Sequence, residues 1–340
     1  MSKKNSNVIL KEGFKNHKEL SYIYLSFKKK LNLFKKKLFL IAVSGGPDSL
    51  ALTALTKAYS YENKCKIFYA LVDHNLRKNS YREAQSVKRL LKKHQIDLNI
   101  LKNRKEIKKN IQSGAREIRY NLLTAFCKKK KIANILTAHN LEDQVETFFI
   151  RLSRGSGLDG LSSMKQVNKI SNNVNLVRPL LDFKKSELIK ISKIIFGKFY
   201  NDPTNKNQKY LRTRIRNLKS SLEKSGINYD KIFQSIKNLS SSRDTLNSYF
   251  NKIYSEMVDK KKNLILINLK NLNNLNKEMK MRVLKKSIKD FTNTYYFPRS
   301  KKIFNLINQI ETTKNAKLTL GGCIITREKK HIILRKEIKN

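Results

Sequence analysis

The sequence predicts an α/β protein: a doubly wound, mainly parallel sheet followed by a second, smaller, mainly helical domain. Three observations carry that expectation. Short apolar runs alternate with helical segments from residue 38 to residue 152, a glycine turn joins the first run to its helix, and the alternation ends near 215 in favour of a long polar helix. A chain of 340 residues is long enough for about two domains.

The elements follow in order. Residues 1–37 carry lysine clusters at Lys28 to Lys30 and Lys35 to Lys37 around Leu20, Ile23, Leu25, Phe27, Leu31 and Phe34, a spacing that predicts a basic amphipathic helix. Leu38 to Val43, Lys66 to Asp73, Asp97 to Leu101 and Asn134 to Ala138 read as buried strands. Between and after them, Ser49 to Tyr59, Tyr81 to His94, Ala115 to Cys127 and Leu141 to Leu152 read as helices. Such crossovers give a parallel sheet, which presents ligands at the carboxyl ends of its strands. Farther on, residues 230 to 258 form a long polar helix on Ile232, Phe233, Ile236, Leu239, Leu246, Phe250 and Ile253. A strand at Leu264 to Leu269, helices near 277 to 290 and 300 to 311, and a closing hairpin of Leu318 to Leu320 with His331 to Leu334 complete the chain. The expected division is 1–37 as a basic N-terminal helix, 38–217 as the catalytic domain and 218–340 as a helical and α+β binding region.

Lys+Arg 74 against Asp+Glu 26 leaves a net charge of +48, which makes a polyanion, and nucleic acid before membrane, the expected partner. Of those basic residues 57 are lysine beside only 17 arginine, so coding bias accounts for part of the excess. No run approaches the roughly 18 apolar residues of a spanning helix, and the N-terminus lacks a signal core; the expectation is a cytoplasmic protein with no membrane partner. Cys65, Cys127 and Cys323 form no Cys-x-x-Cys pair, which excludes a local zinc or iron–sulfur motif and a disulfide framework.

Five of the 11 glycines fall in two loops, Gly45 and Gly46 in one and Gly155, Gly157 and Gly160 in the other. Ser44-Gly45-Gly46-Pro47-Asp48-Ser49 follows the first strand and opens a helix, a turn that aims N–H groups and a positive helix end at an anion. Ser44 and Ser49 add hydroxyl donors, and Asp48 suits a magnesium ion. No Gly-Lys-Ser/Thr follows, so the loop is not a Walker A loop. Acidic residues are scarce, yet Glu142, Asp143 and Glu146 cluster after the fourth strand, where they either hold an ammonium or a metal or serve the helix dipole. Asp73 and His74 follow the second strand. Arg116 and Arg119 share a helix face, spaced to clamp phosphate or to pair with Glu117 and Glu83. The loop Arg154 to Leu161 has too many glycines for a helix. Tyr210 with Arg212, Arg214 and Arg216 suits phosphate and base contact.

The Ser-Gly-Gly-Pro-Asp-Ser loop resembles that of the N-type ATP pyrophosphatases, the PP-loop enzymes of the adenine nucleotide alpha hydrolase-like fold. Further blocks narrow the resemblance: Val72-Asp73-His74-Asn75-Leu76-Arg77, Gly114-Ala115-Arg116-Glu117-Ile118-Arg119-Tyr120, and Thr137-Ala138-His139-Asn140-Leu141-Glu142-Asp143-Gln144-Val145-Glu146-Thr147. With Arg151 to Leu161, Arg178-Pro179-Leu180-Leu181, Asp202-Pro203-Thr204-Asn205 and the three arginines, these blocks are similar to the tRNA(Ile)-lysidine synthetase family. Two departures stand out, Glu142 where the family has aspartate and Thr213 where it has asparagine.

The resemblance implies an ATP-dependent ligase. ATP adenylylates the C2 carbonyl oxygen of the wobble cytidine in tRNA(Ile) with a CAU anticodon, the ε-amine of free L-lysine attacks, and AMP leaves, so that decoding changes from Met to Ile. It implies ATP as co-substrate and Mg2+, with Asp48, His139, Asp143 and Arg116 catalytic. Ser44, Gly45, Gly46, Pro47, Asp48, Ser49, Asp73 and His74 would bind ATP, and Asp48 and Asp143 the metal. Glu146, Arg154, Gly155, Gly157, Arg212, Arg214 and Arg216 would face tRNA or lysine, and a homodimer is among the expected assemblies. A tRNA thiolase would want paired cysteines, an amidotransferase a further nucleophile domain, and a passive RNA-binding protein no anion loop beside a carboxylate cluster.

Overall fold

The computed structural model describes residues 3–76, 79–104, 111–171, 173–200, 207–292, 300–313 and 317–337. Arg77 and the Asp202 to Asn205 block lie outside the described residues. The chain forms two compact units, Met1–Ser240 and Ser241–Asn340.

In the first unit, β1 (Leu38–Val43), β2 (Lys66–Asp73), β3 (Leu98–Lys102), β4 (Asn134–Leu136), β5 (Val167–Ser171) and β6 (Val174–Val177) form one sheet in the order β3-β2-β1-β4-β6-β5. All neighbours are parallel except β5 and β6. The sequence reading passes over that last pair: β5 is polar and half-exposed and carries no apolar run, and β6, though buried, is only four residues long. The crossover helices are α3 (Pro47–Glu62), α4 (Ser80–Lys92) and α5 (Ile111–Lys130), followed by α6 (Leu141–Leu152). All four agree with the sequence pattern to within a turn or so at each end.

Where one N-terminal helix is expected there are two, α1 (Lys3–Lys11) and α2 (Lys18–Asn32). Leu20, Ile23, Phe27 and Leu31 of α2 are buried in the same core as β1 and α3, while Leu25 faces solvent. The glycine loop departs from expectation too: Leu158–Leu161 forms a one-turn helix, α7, in spite of Gly160. Its C-terminal end is held from outside, since the Arg151 guanidinium donates to the carbonyls of Gly160 (2.7 Å) and Ser163 (2.9 Å). Helices α8 (Lys185–Phe196), α9 (Leu211–Asn217) and α10 (Lys219–Lys224) follow, and α11 (Tyr229–Met257) crosses into the second unit.

The second unit has a five-stranded antiparallel sheet, β7 (Val258–Lys260), β8 (Leu264–Asn268), β9 (Lys317–Leu320), β10 (Cys323–Arg327) and β11 (His331–Lys336), in the order β7-β8-β11-β10-β9. Helices α12 (Leu269–Asn273), α13 (Lys277–Thr292) and α14 (Ser300–Thr312) share its core through Leu272, Val283, Ile288, Ile303 and Ile307. The expected closing hairpin is corrected here. Leu318 to Leu320 pairs not with His331 to Leu334 but with β10, whose Gly321-Gly322 turn takes φ of +64° and +82°. The strand at 264 to 268 then completes the sheet against β11.

Candidate active site

The site is built at the carboxyl edge of the parallel strands. Val43 ends β1, and the chain turns through Ser44 and Gly45 into α3, with Gly46 as N-cap and Pro47 in its first turn. Gly45 has φ +83°, and a Cβ there would lie 2.5 Å from Val87 Cγ2 of α4. Glycine is therefore required at 45 by handedness and by packing, before any ligand is considered. Inside the turn the Ser44 N–H donates to Ser49 Oγ (3.1 Å), and Ser49 Oγ donates to the Gly46 carbonyl (2.9 Å). Tyr200 N–H donates to the Gly45 carbonyl at 3.0 Å. These bonds hold the loop open toward the N-terminus of a 16-residue helix, a concentration of partial positive charge suited to phosphate.

Asp48 stands on the first turn of α3. Burial raises its carboxyl from an ordinary 3.8 to about 7; the charges of Asp143 and Glu142 push the same way, and Lys185 and a hydrogen bond from Asn140 oppose them. Its Oδ1 is buried without a hydrogen-bond partner. Thr137 and His139 follow β4, and Asn140, which hydrogen-bonds to Asp48, caps α6. The Asn140 side chain accepts from the Asp143 N–H (2.9 Å) while the Asp143 carboxylate accepts from the Asn140 N–H (3.1 Å), a reciprocal capping box. His139 Nδ1 lies 2.9 Å from Thr137 Oγ1. Its burial, together with the charges of Arg178, Arg212, Arg116 and Arg119, holds the imidazole well below its ordinary value, so it is neutral at pH 7.

The carboxylates are tied to α9. Arg212 donates through Nη2 to Asp143 (2.7 Å) and through Nε to Glu146 (2.6 Å); Arg216, one turn on, donates to both oxygens of Glu146 (2.7 and 3.0 Å). The Glu146 side chain is 3% exposed. Arg214, between them, is exposed on the opposite face. Three arginines that look alike in the sequence thus divide by helical period, two inward and one outward. Glu142 points elsewhere: its carboxylate accepts from the Lys185 N–H (2.9 Å) at the start of α8, and Lys219 Nζ lies 3.6 Å away. The longer side chain at 142 therefore serves as a clasp between α6 and α8.

Asp73 is buried, and its Oδ1 accepts from the Asn75 N–H (3.0 Å), closing a turn in which Asn75 takes φ +53°. His74 Nε2 receives the Arg119 guanidinium at 3.3 to 3.4 Å, and Arg116 stacks over Tyr120 at 5.2 Å. Arg154, Gly155 and Gly157 lie in an exposed loop, Gly155 at φ +65°. The structure thus brings Ser44 to Ser49, His139, Asp143, Glu146, Arg212 and Arg216 together. Asp73 and His74 stand at the next strand end, and the Arg154 loop lies at the far end of α6. Lys185 is a site residue that the sequence reading missed, and Asn140 stands in a motif block without an assigned role; a lysine among 57 carries no signal of its own.

A magnesium ion fits this donor set. Among the described residues no group of three or more His, Cys, Asp or Glu could hold a metal, but Mg2+ is commonly held by one or two carboxylates with phosphates and waters completing its shell. The buried, unpartnered Asp48 Oδ1 at the anion loop would suit that role. Both Asp143 oxygens are already engaged by Arg212 and the Asn140 N–H.

A parallel sheet, a glycine turn at a helix N-terminus and a carboxylate beside it define a nucleotide-binding protein of the PP-loop class, and the family model described as the PP-loop domain matches residues 19–221. The tRNA(Ile)-lysidine synthase of Wolbachia pipientis wMel is 35% identical over 304 residues, 87% of this chain and 70% of that protein. That of Orientia tsutsugamushi is 43% identical over 185 residues, 54% of this chain and 41% of that one. The chain belongs to the tRNA(Ile)-lysidine synthase family. Among solved structures, the U34-tRNA thiolase NcsA from Methanococcus maripaludis superposes with a TM-score of 0.56 at 17% identity, over 66% of this chain and 79% of that one, a likeness of fold alone.

Proposed function

We propose that this chain, an ATP-dependent ligase, joins free L-lysine to C2 of the wobble cytidine of tRNA(Ile) bearing a CAU anticodon. The observation that carries the reading is the buried, unpartnered Asp48 oxygen at the anion loop. The loop N–H groups and the α3 N-terminus receive the β- and γ-phosphates, with Ser44 and Ser49 as hydroxyl donors. The C2 carbonyl oxygen of cytidine attacks the α-phosphorus, an O–P bond forms, and the bond to pyrophosphate breaks. Asp48 would hold Mg2+, which would supply charge neutralisation for the departing pyrophosphate. The lysine ε-amine then attacks C2, and the C2–O bond breaks to release AMP.

An amine must shed a proton in this second step, and neutral His139 is the acceptor its environment favours. Asp143 and Glu146 orient the amine in exchange for part of their pairing to Arg212. Arg116 lies beside the adenylate, Asp73 and His74 shape the nucleotide side, and the exposed Arg154, Gly155, Gly157 and Arg214 meet the tRNA. The reaction is tested by transfer of radiolabelled lysine into tRNA(Ile) with CAU, with and without ATP, for the parent and Asp48→Ala, with tRNA(Met) as control. Label that needs ATP and Asp48 and enters tRNA(Ile) alone is expected; absence of label with folded protein and bound tRNA overturns the reading.

A further inference from the structure

The opposite pole of the sheet carries chemistry that the site does not use. Because β1, β2, β3 and β4 are parallel, the segments preceding them converge on one edge, the edge away from the anion loop. Those segments are 33–37, 62–66, 92–97 and 128–133, and eleven of their 22 residues are lysine, against 57 of 340 in the chain. Coding bias acts on every segment alike, so a threefold local excess lies beyond it. Lys35, Lys36, Lys64, Lys66, Lys92, Lys93 and Lys128 to Lys131 are all exposed. Among the described residues none of these ten forms an ion pair. The carboxylates in the same four segments are Glu62, which pairs with Lys28, and Asp97.

Helix dipoles explain only part of this. Lysine in the last turn of a helix gains about 0.3–1 kcal/mol, which covers Lys92 and Lys128 to Lys130. Lys35, Lys36, Lys64 and Lys66 lie beyond helix ends. Four adjacent strands about 4.8 Å apart set the clusters in a row about 14 Å wide, ordered Lys92–Lys93, Lys64–Lys66, Lys35–Lys37, Lys128–Lys131. Ammonium groups so close, with two carboxylates between them, repel one another within a Debye length. A row of phosphates relieves that repulsion. An acidic membrane would also want an apolar wedge, and the large exposed apolar side chains in the four segments amount to Leu33 alone.

We propose that this lysine row is a second RNA-binding surface, one that grips the backbone of the tRNA body, roughly a sheet's length from the anticodon site. The proposal rests on tRNA being the substrate. The contact is to phosphate, so it is indifferent to sequence and supplies affinity rather than selection.

The test is a variant with one change per cluster, Lys36→Gln, Lys64→Gln, Lys93→Gln and Lys129→Gln, none of them at the site. Dissociation constants for full-length tRNA(Ile) and for its isolated anticodon stem-loop are measured across KCl concentrations. The expected result for full-length tRNA is a log–log salt slope shallower by about two or more and affinity lower by at least about tenfold near 0.15 M salt. The stem-loop keeps its affinity, tRNA(Met) loses as much as tRNA(Ile), and turnover at saturating tRNA is unchanged. Equal slopes for parent and variant overturn the proposal, as does an equal loss for the stem-loop, which would mean a general field rather than a surface for the body. Loss of binding to phosphatidylglycerol vesicles with tRNA binding intact would assign the row to membranes instead. Binding slopes are read without catalysis, so a protein that made no lysidine would sink the proposed reaction and leave this measurement standing.

Discussion

Asp48 answers two opposed demands with one carboxyl group. In its proposed role as a magnesium ligand it would have to be ionised, yet burial beside Asp143 and Glu142 raises this group to about 7. In the unfolded chain its value returns to the ordinary 3.8. Between those two values the unfolded state has released the proton and the folded state keeps it, so this residue subtracts stability as pH rises from about 4 to about 7. On the proposed mechanism Asp48→Asn is expected to abolish ligation, and it removes that loss. Its melting temperature is expected to exceed the parent's by more at pH 8 than at pH 5; an equal difference at the two pH values would contradict the raised value. Asp48 itself was legible in the sequence, because a serine-glycine turn after an apolar run fixes a carboxylate at a helix start. The partners that perturb it were not, since Glu142 and Asp143 lie more than ninety residues away and Lys185 farther still.

At the scale of elements, α6 and α9 are joined by Arg212, Arg216, Asp143 and Glu146. Glu146 is buried and accepts three of the four bonds. Removing one arginine leaves the other in place, and each is more than a third exposed. Single changes to alanine at 212 or 216 are therefore expected to cost about 1 kcal/mol, whereas the double change strands a buried carboxylate and costs about 3 kcal/mol or more. Denaturant melts of the two single variants and the double variant test this; additive losses would show that Glu146 is solvated by other means. The sequence reading placed the three arginines as one phosphate-facing group. Helical period separates them, and only the packing of α9 on α6 decides which face turns inward. The missed β5 and β6 have the same origin: a polar strand and a four-residue one are defined by their partners rather than by their own apolar pattern.

At the scale of the molecule, a net charge of +48 is a standing repulsion. Raising ionic strength from about 0.01 to about 0.15 M shortens the screening length from about 30 to about 8 Å. The melting temperature is expected to rise over that interval, and to rise again when tRNA is added at constant salt. A fall with salt would mean that attractive surface pairs outweigh the repulsion. The sequence by itself determined the alternating α/β order and the anion loop, because apolar period and glycine placement act over a few neighbouring residues, and its motif blocks carried the resemblance to the family. Tertiary structure alone decided that Arg212 clasps Glu146 across 66 positions, and that four lysine clusters scattered between residues 35 and 131 stand in one row. Parallel pairing brings every strand start to the same edge, and no local pattern in a chain records which edge that is.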